Sequence, residues 1–441
     1  MDRSEAFVHD VSRPRARGRG CLRVTAAIAL TTAGVLASSL LARAADEPNL
    51  FERIALKPSG FANLTPGGVP QQTGIPDASS VGLFPEAEIE LNPQVKAGGA
   101  TWAARVAFNA SGVWLESEDT WQASIPEASA FVVSKWGRFE AGERAAFPQT
   151  LVGYAPAEIA FTSAGFGPES GARLDPDGRL PTSFLSAGLA SRIDGLTYLG
   201  YAERFYRIRS PKVIYVSPRW HGLWAAASWS PETVRPDAVA VARTRVRPPA
   251  PGDPFGAPTS DDADLEQLVQ AGAVFQHRTE DLDLTVGLTY GHAEPDDRED
   301  GERTNASSLS GGATLTVRDT ITAGVSATVD GLTEPGDPRT DEPYGVVASL
   351  DVVEGPWVAG GYYQFARRTP SGETGADSVH VAEIGASYLF DEHDLLGEGR
   401  HTDIKIYTSA YYYRFADAQP AQPDRGSEGV VLLAGARFSF F

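Results

Sequence analysis

Between Val430 and Phe440 the chain alternates in twos. Val430, Leu432, Ala434, Ala436, Phe438 and Phe440 fall on one side, and Val431, Leu433, Gly435, Arg437 and Ser439 on the other. A period of two is that of a β-strand, here with an apolar face backed by a small or charged one. Two interior stretches repeat the pattern almost ideally. Leu282, Leu284, Val286, Leu288 and Tyr290 alternate with Asp283, Thr285, Gly287, Thr289 and Gly291, and Ile321, Ala323, Val325, Ala327 and Val329 with Thr322, Gly324, Ser326 and Thr328. The same reading along the chain predicts sixteen strands: 51–62, 84–97, 100–112, 125–134, 136–144, 211–217, 221–230, 264–278, 281–293, 306–318, 320–330, 343–354, 356–368, 379–390, 402–416 and 428–440. Most have the ~9–11 residues that a tilted strand needs to cross a bilayer. A chain that ends on Phe-Ser-Phe-Phe suits a last strand whose apolar face meets lipid while its edge closes a barrel. The fold class predicted is all-β, a transmembrane antiparallel barrel of 16 strands.

The connections alternate as well. Short turns such as Gly98-Gly99, Lys135, Pro218-Arg219-Trp220, Thr279-Glu280, Asp319 and Gly355 follow the even strands. Long polar segments, 63–83, 113–124, 145–210, 231–263, 294–305, 331–342, 369–378 and 417–427, follow the odd ones. Only the connection 391–401 is longer than a turn where a turn is expected. Short turns on one side and long loops on the other are the pattern of outer-membrane barrels with both termini in the periplasm.

Targeting and charge agree with that destination. Residues 1–23 are basic, an apolar run covers Val24 to Leu41, and Ala42-Arg43-Ala44 offers a small-x-small cleavage site. This divides the chain into a cleaved signal peptide, 1–44, and a barrel domain, 45–441. Removing the signal takes seven basic and three acidic side chains and moves the formal charge from −19 to −23, which disfavours nucleic acid as a partner. The only cysteine, Cys21, lies in the signal, so the rest of the chain has neither disulfides nor cysteine-ligated metals.

Two blocks carry a family resemblance. Pro126-Glu127-Ala128-Ser129-Ala130-Phe131-Val132-Val133-Ser134-Lys135-Trp136-Gly137-Arg138-Phe139-Glu140-Ala141-Gly142-Glu143-Arg144 and Lys212-Val213-Ile214-Tyr215-Val216-Ser217-Pro218-Arg219-Trp220-His221-Gly222 resemble hairpins of the proteobacterial general diffusion porins, especially those of alphaproteobacteria. Ala382-Glu383-Ile384-Gly385-Ala386-Ser387-Tyr388 and Tyr411-Tyr412-Tyr413 echo later strands of that family. The resemblance implies a water-filled outer-membrane channel for passive diffusion of small hydrophilic solutes and ions, and a homotrimer in contact with lipid and lipopolysaccharide. It implies that 145–210, the third long loop, folds inward as a constriction. It also implies that the barrel-assembly machinery reads Phe438, Phe440 and Phe441 at the C-terminus.

Parity selects the lumen-facing side chains as Arg105, Asn109, Arg138, Glu140, Asp283, Thr285, Arg318, Asp351, Glu383, Lys405 and Arg437. Glu158, Glu169 and Asp175, with Asp177 and Asp194, would supply acids from the constriction loop opposite the wall arginines, giving a transverse field. Three other functions stay open: a solute-selective channel, a plugged barrel serving as an adhesin or structural protein, and a barrel phospholipase. No nucleophile elbow, His-Glu-x-x-His or phosphate-binding Gly-x-x-x-x-Gly-Lys occurs, so no enzyme is expected. No cofactor is expected either. The acidic run 294–302 and the turn Asp391-Glu392-His393-Asp394 with His401 read as solvated loops rather than metal sites. Because only Phe440 keeps step with Phe438, Phe440→Ser should lower the amount inserted in the outer membrane more than Phe441→Ser, measured by immunoblot of membrane fractions.

Overall fold

The computed structural model describes residues 54–73, 81–115, 119–144, 210–232, 242–245, 265–295, 306–330, 344–368, 377–393, 401–416 and 427–440. The segment expected to be a signal, residues 145–209 with Glu158, Glu169 and Asp175, most of the acidic run 294–302, and Phe441 lie outside them. The strands are β1 (Ala55–Thr73), β2 (Val81–Ala97), β3 (Ala100–Leu115), β4 (Asp119–Ser134), β5 (Gly137–Arg144), β6 (Ser210–Val216), β7 (Leu223–Glu232), β8 (Ala242–Arg245) and β9 (Leu265–Arg278). There follow β10 (Leu282–Pro295), β11 (Ala306–Val317), β12 (Ile321–Asp330), β13 (Tyr344–Glu354), β14 (Trp357–Arg368), β15 (Asp377–His393), β16 (His401–Ala416) and β17 (Ser427–Phe440).

Every ladder is antiparallel, each strand pairs with its neighbour in sequence apart from β8, and β17 returns to pair with β1. Sixteen strands thus close into a barrel. Closure matters because an unpaired N–H or C=O in hydrocarbon costs several kcal/mol, of order ~4–8 on a water-to-alkane scale. Tight turns drive the hairpins. Gly98 and Gly99, with φ of 61° and 77°, form a two-residue connection that requires left-handed backbone at both positions. Arg318 and Asp319, both at φ 51°, adopt the same conformation without glycine, and Thr320 N–H donates to the Val317 carbonyl at 3.0 Å.

Alternation holds around the wall. Large apolar side chains such as Leu288, Val325, Leu350, Ile384 and Leu432 are exposed outward, while Thr289, Ser326, Asp351, Gln364 and Leu433 on the other face are buried. Outward aromatics gather at strand ends. Trp136 and Trp220 flank periplasmic turns, Trp357 meets Tyr388 edge-on at 4.8 Å, and Phe139 meets Tyr215 at 4.7 Å. Such rings belong at the level of lipid headgroups.

Three differences from the sequence reading have physical reasons. First, β1 runs to Thr73 and β2 begins at Val81, while β3 and β4 reach Leu115 and Asp119, so the segments 63–83 and 113–124 are mostly strand. Pro66, Pro70, Gly67 and Gly68 disguised the first of these as a loop, although the backbone continues in register with β2 through Gly68↔Val81. Second, the segment 231–263 contains β8, a seventeenth strand. It pairs with Thr120–Ala123 of β4, beyond the part of β4 that pairs with β5. β5 and β6 are only 8 and 7 residues long, too short to accompany β4 to its outer end, so β8 takes up the ladder there. Third, β15 and β16 extend to His393 and His401, which shortens the connection expected at 391–401. The protein should therefore be β-rich by circular dichroism and migrate faster on SDS gels unheated than boiled; equal mobility in the two states would contradict a closed barrel.

Candidate functional site: the charged lumen wall

Cross-strand register decides what faces the lumen, because directly paired residues of an antiparallel ladder share a face. From β2 to β6 the inward row is charged. Glu86, Glu88 and Glu90 follow one another on β2 at alternate positions, opposite Ser111, Asn109 and Ala107 of β3. Asn109 donates from Nδ2 to Glu86 Oε1 at 3.1 Å and to Glu88 Oε2 at 3.3 Å. Arg105 sits between two acids of the wall. Its guanidinium pairs with Glu90 of β2, and its Nε lies 3.0 Å from Glu127 Oε2 of β4. Arg138 Nη2 donates to Glu140 Oε2 at 2.7 Å, with the guanidinium 3.9 Å above the Phe131 ring. Ser129 completes the set by donating to Glu140 Oε1 at 2.7 Å.

Arg105 with Glu90 and Glu127, and Arg138 with Glu140 and Ser129, thus form two groups on neighbouring strands. In both the arginine is met by glutamates on its own or adjacent strands. The acids expected across the lumen, in 145–210, are not needed to pair them. Glu86, Glu88, Glu90 and Glu127 were missing from the inward residues picked out in the sequence. Their parity was legible, since Glu86, Glu88 and Glu90 alternate with Ala87, Ile89 and Leu91. Arg105 is about 30% exposed and Arg138 25%, whereas the Glu140 side chain is almost wholly covered at 1%. The arginines are therefore the most exposed members of their groups, with Glu90 and Glu127 at 13%.

The row continues across the seam between first and last strands. Lys405, Arg437, Asn63 and Glu86 are successive partners on β16, β17, β1 and β2. The Arg437 guanidinium stacks 4.2 Å from the Phe61 ring. On this path the wall changes from cationic to anionic within four strands. Glu383 lies inward on β15 between its partners Tyr362 and Tyr411, whose rings meet at 6.4 Å, and it is buried at 1% exposure. From β10 to β13 small hydroxyls instead predominate on the lumen face, with Asp283 and Asp351 among them. Ser310 and Thr328 hydrogen-bond at 2.9 Å, as do Thr316 and Thr322 at 3.0 Å, and Asp283 accepts from Gln276 at 3.1 Å. No group of three metal-binding side chains occurs among the described residues. Phe438 and Phe440 face outward with ring centroids 6.3 Å apart, and β17 pairs as far as Phe440.

A closed barrel with an apolar outer face, aromatic strand ends and a wet, charged interior defines a transmembrane β-barrel channel of the outer membrane. The family comparison agrees: a model described as Gram-negative porin matches residues 25–415. The chain belongs to that family. A sequence comparison with curated proteins gives no match. Among solved structures, a loop L8 deletion mutant of the outer membrane protein OmpT of Vibrio cholerae is 12% identical over 88% of this chain and 100% of its own, with a TM-score of 0.49. An anion-selective porin from Comamonas acidovorans is 12% identical over 88% of this chain and 99% of its own, at 0.48. A mutant of Rh. blastica porin is 12% identical over 87% and 100%, at 0.44.

If the Glu90–Arg105–Glu127 group sets local charge, Arg105→Ala exposes two carboxylates at once. Cation selectivity should rise, read as a larger reversal potential under a salt gradient across a planar bilayer. Arg105→Lys, which keeps the charge but cannot fork between two acids, should fall between wild type and Arg105→Ala.

Proposed function

We propose that this porin admits small hydrophilic solutes and ions by passive diffusion, with a weak preference for cations, and that it catalyses no reaction. The observation that carries the preference is the acid excess of the β2–β5 wall. Glu86, Glu88, Glu90, Glu127 and Glu140 stand against Arg105 and Arg138, and each arginine already has an acid within reach. Fixed charge close to the permeation path acts through little screening water. Acids in outer loops are screened beyond a Debye length of ~8–10 Å. The sign at the wall therefore governs which ions enter.

Several finer assignments belong to the same reading. Residues 1–44 are a cleaved signal and 45–441 the barrel domain, with 145–210 as the constriction loop whose Glu158, Glu169 and Asp175 add to the acid side. Glu383, Lys405 and Arg437 line the pore with Arg105, Arg138 and Glu140. The protein works as a homotrimer in lipid and lipopolysaccharide after insertion by the barrel-assembly machinery, which engages Phe438, Phe440 and Phe441. Family membership supports these assignments, and the alternation along β17 supports the last.

The test is single-channel recording from purified protein in planar bilayers. Stepwise ohmic conductance and a modest cation reversal potential that shrinks as salt rises are expected. A barrel without conductance would favour the adhesin or structural reading, and hydrolysis of a lipid ester by the same preparation would favour an enzyme. Joint replacement of Glu86, Glu88 and Glu90 by Gln should abolish the cation preference while leaving conductance within about twofold of wild type in high salt, where surface charge is screened.

A further inference from the structure

The ladder that closes the barrel has a gap. Between β1 and β17 the ladder passes from Leu64↔Ala436 to Gly67↔Leu433 in one register but with no pair at Thr65 or Pro66, and the register shifts between Gly68 and Gln71. Pro66, which has no N–H to give, falls in this gap. A side chain from the next strand lies there. Tyr407 of β16 pairs with Gly435 of β17, and its hydroxyl donates to Asn63 Oδ1 of β1 at 3.0 Å and is hydrogen-bonded with Thr65 Oγ1. Asn63 Nδ2 donates in turn to Thr65 Oγ1 at 3.2 Å. The side chain of β16 therefore passes over β17 to reach β1.

Gly435 makes this possible. A Cβ at that position would collide with the Tyr407 ring and hydroxyl, so only a residue without a side chain lets the ring lie flat on the closing strand. Thr65 is fully buried, and Asn63 and Tyr407 are at 8% and 3% exposure, so water has little access to compete for these bonds.

We propose that Tyr407 is a clasp for barrel closure, holding the first strand to the last where their backbone ladder is interrupted. The clasp acts locally. Its loss loosens the β1–β17 seam while the remaining ladders keep their own hydrogen bonds, and an open seam would present unpaired backbone to lipid.

Hydrogen exchange read by mass spectrometry on the full-length folded protein in detergent tests this. Tyr407→Phe keeps the ring and removes the hydroxyl. It should speed exchange about tenfold in peptides covering 60–68 and 430–440, with no change in peptides from β10 and β11. Gly435→Ala keeps every hydroxyl but displaces the ring, and should produce the same local pattern. Tyr411→Phe, on the same strand and as deeply buried but without a bond to β1, should leave the seam unchanged. Uniform acceleration in all peptides, an unchanged seam in Tyr407→Phe, or an equal seam effect from Tyr411→Phe would each overturn the clasp.

Discussion

One constraint governs this molecule: backbone polar groups have no partner in hydrocarbon, so every strand at membrane depth needs a neighbour on each side. A soluble sheet can leave an edge in water, but this one must return on itself. Closure explains features that are awkward in isolation. β8 is four residues long and stands far from its neighbours in sequence, yet it supplies a ladder to the part of β4 that β5 does not reach. The aromatic end of β17 packs beside the first strand, with the Phe440 ring against the position where Gly60 has no side chain. Sequence distance counts for little here, since residues more than three hundred positions apart share the seam.

The same closure gives the interior its character. With apolar side chains committed to lipid, the alternate row is free to be polar, and it differs by sector. Charged groups occupy β2 to β5, mainly small hydroxyls β10 to β13, and tyrosines with the buried Glu383 carboxylate β14 to β16. A solute therefore meets unlike walls on opposite sides. The charged sector is largely self-neutralised by Arg105 and Arg138, so its residual sign comes from a few glutamates rather than from the large negative charge of the chain as a whole.

Much of this was legible in the sequence because a two-residue period survives wherever one face meets lipid. The strands near 282–293 and 321–330 and the closing strand were placed almost as they stand. What escaped had definite causes. Pro and Gly in 65–70 read as a loop, although their backbone needs only space and a partner to stay extended. β8 is too short and too rich in Arg to show periodicity. Among the site residues, strand parity marked Arg105, Arg138 and Arg437. Glu86, Glu88 and Glu90 were overlooked although parity marked them. That Arg105 joins Glu90 to Glu127 depends on register across three strands, which no single segment encodes.

The irregular points of the ladder have their own meaning. On β4 the register with β3 slips between Ala107 and Asn109, opposite Ile125 and Pro126, and on β9 it slips near Gln267, whose φ is 53°. Each slip swaps the parity of the residues beyond it. Over most of the wall, gaining or losing one residue would turn a whole run of lumen side chains out to lipid and draw their apolar neighbours in. At a slip the mismatch has already been absorbed. Changes in strand length during this protein's descent are thus tolerable in pairs along the straight strands and singly only beside the slips. The length of each strand is held by parity as firmly as its composition is held by lipid.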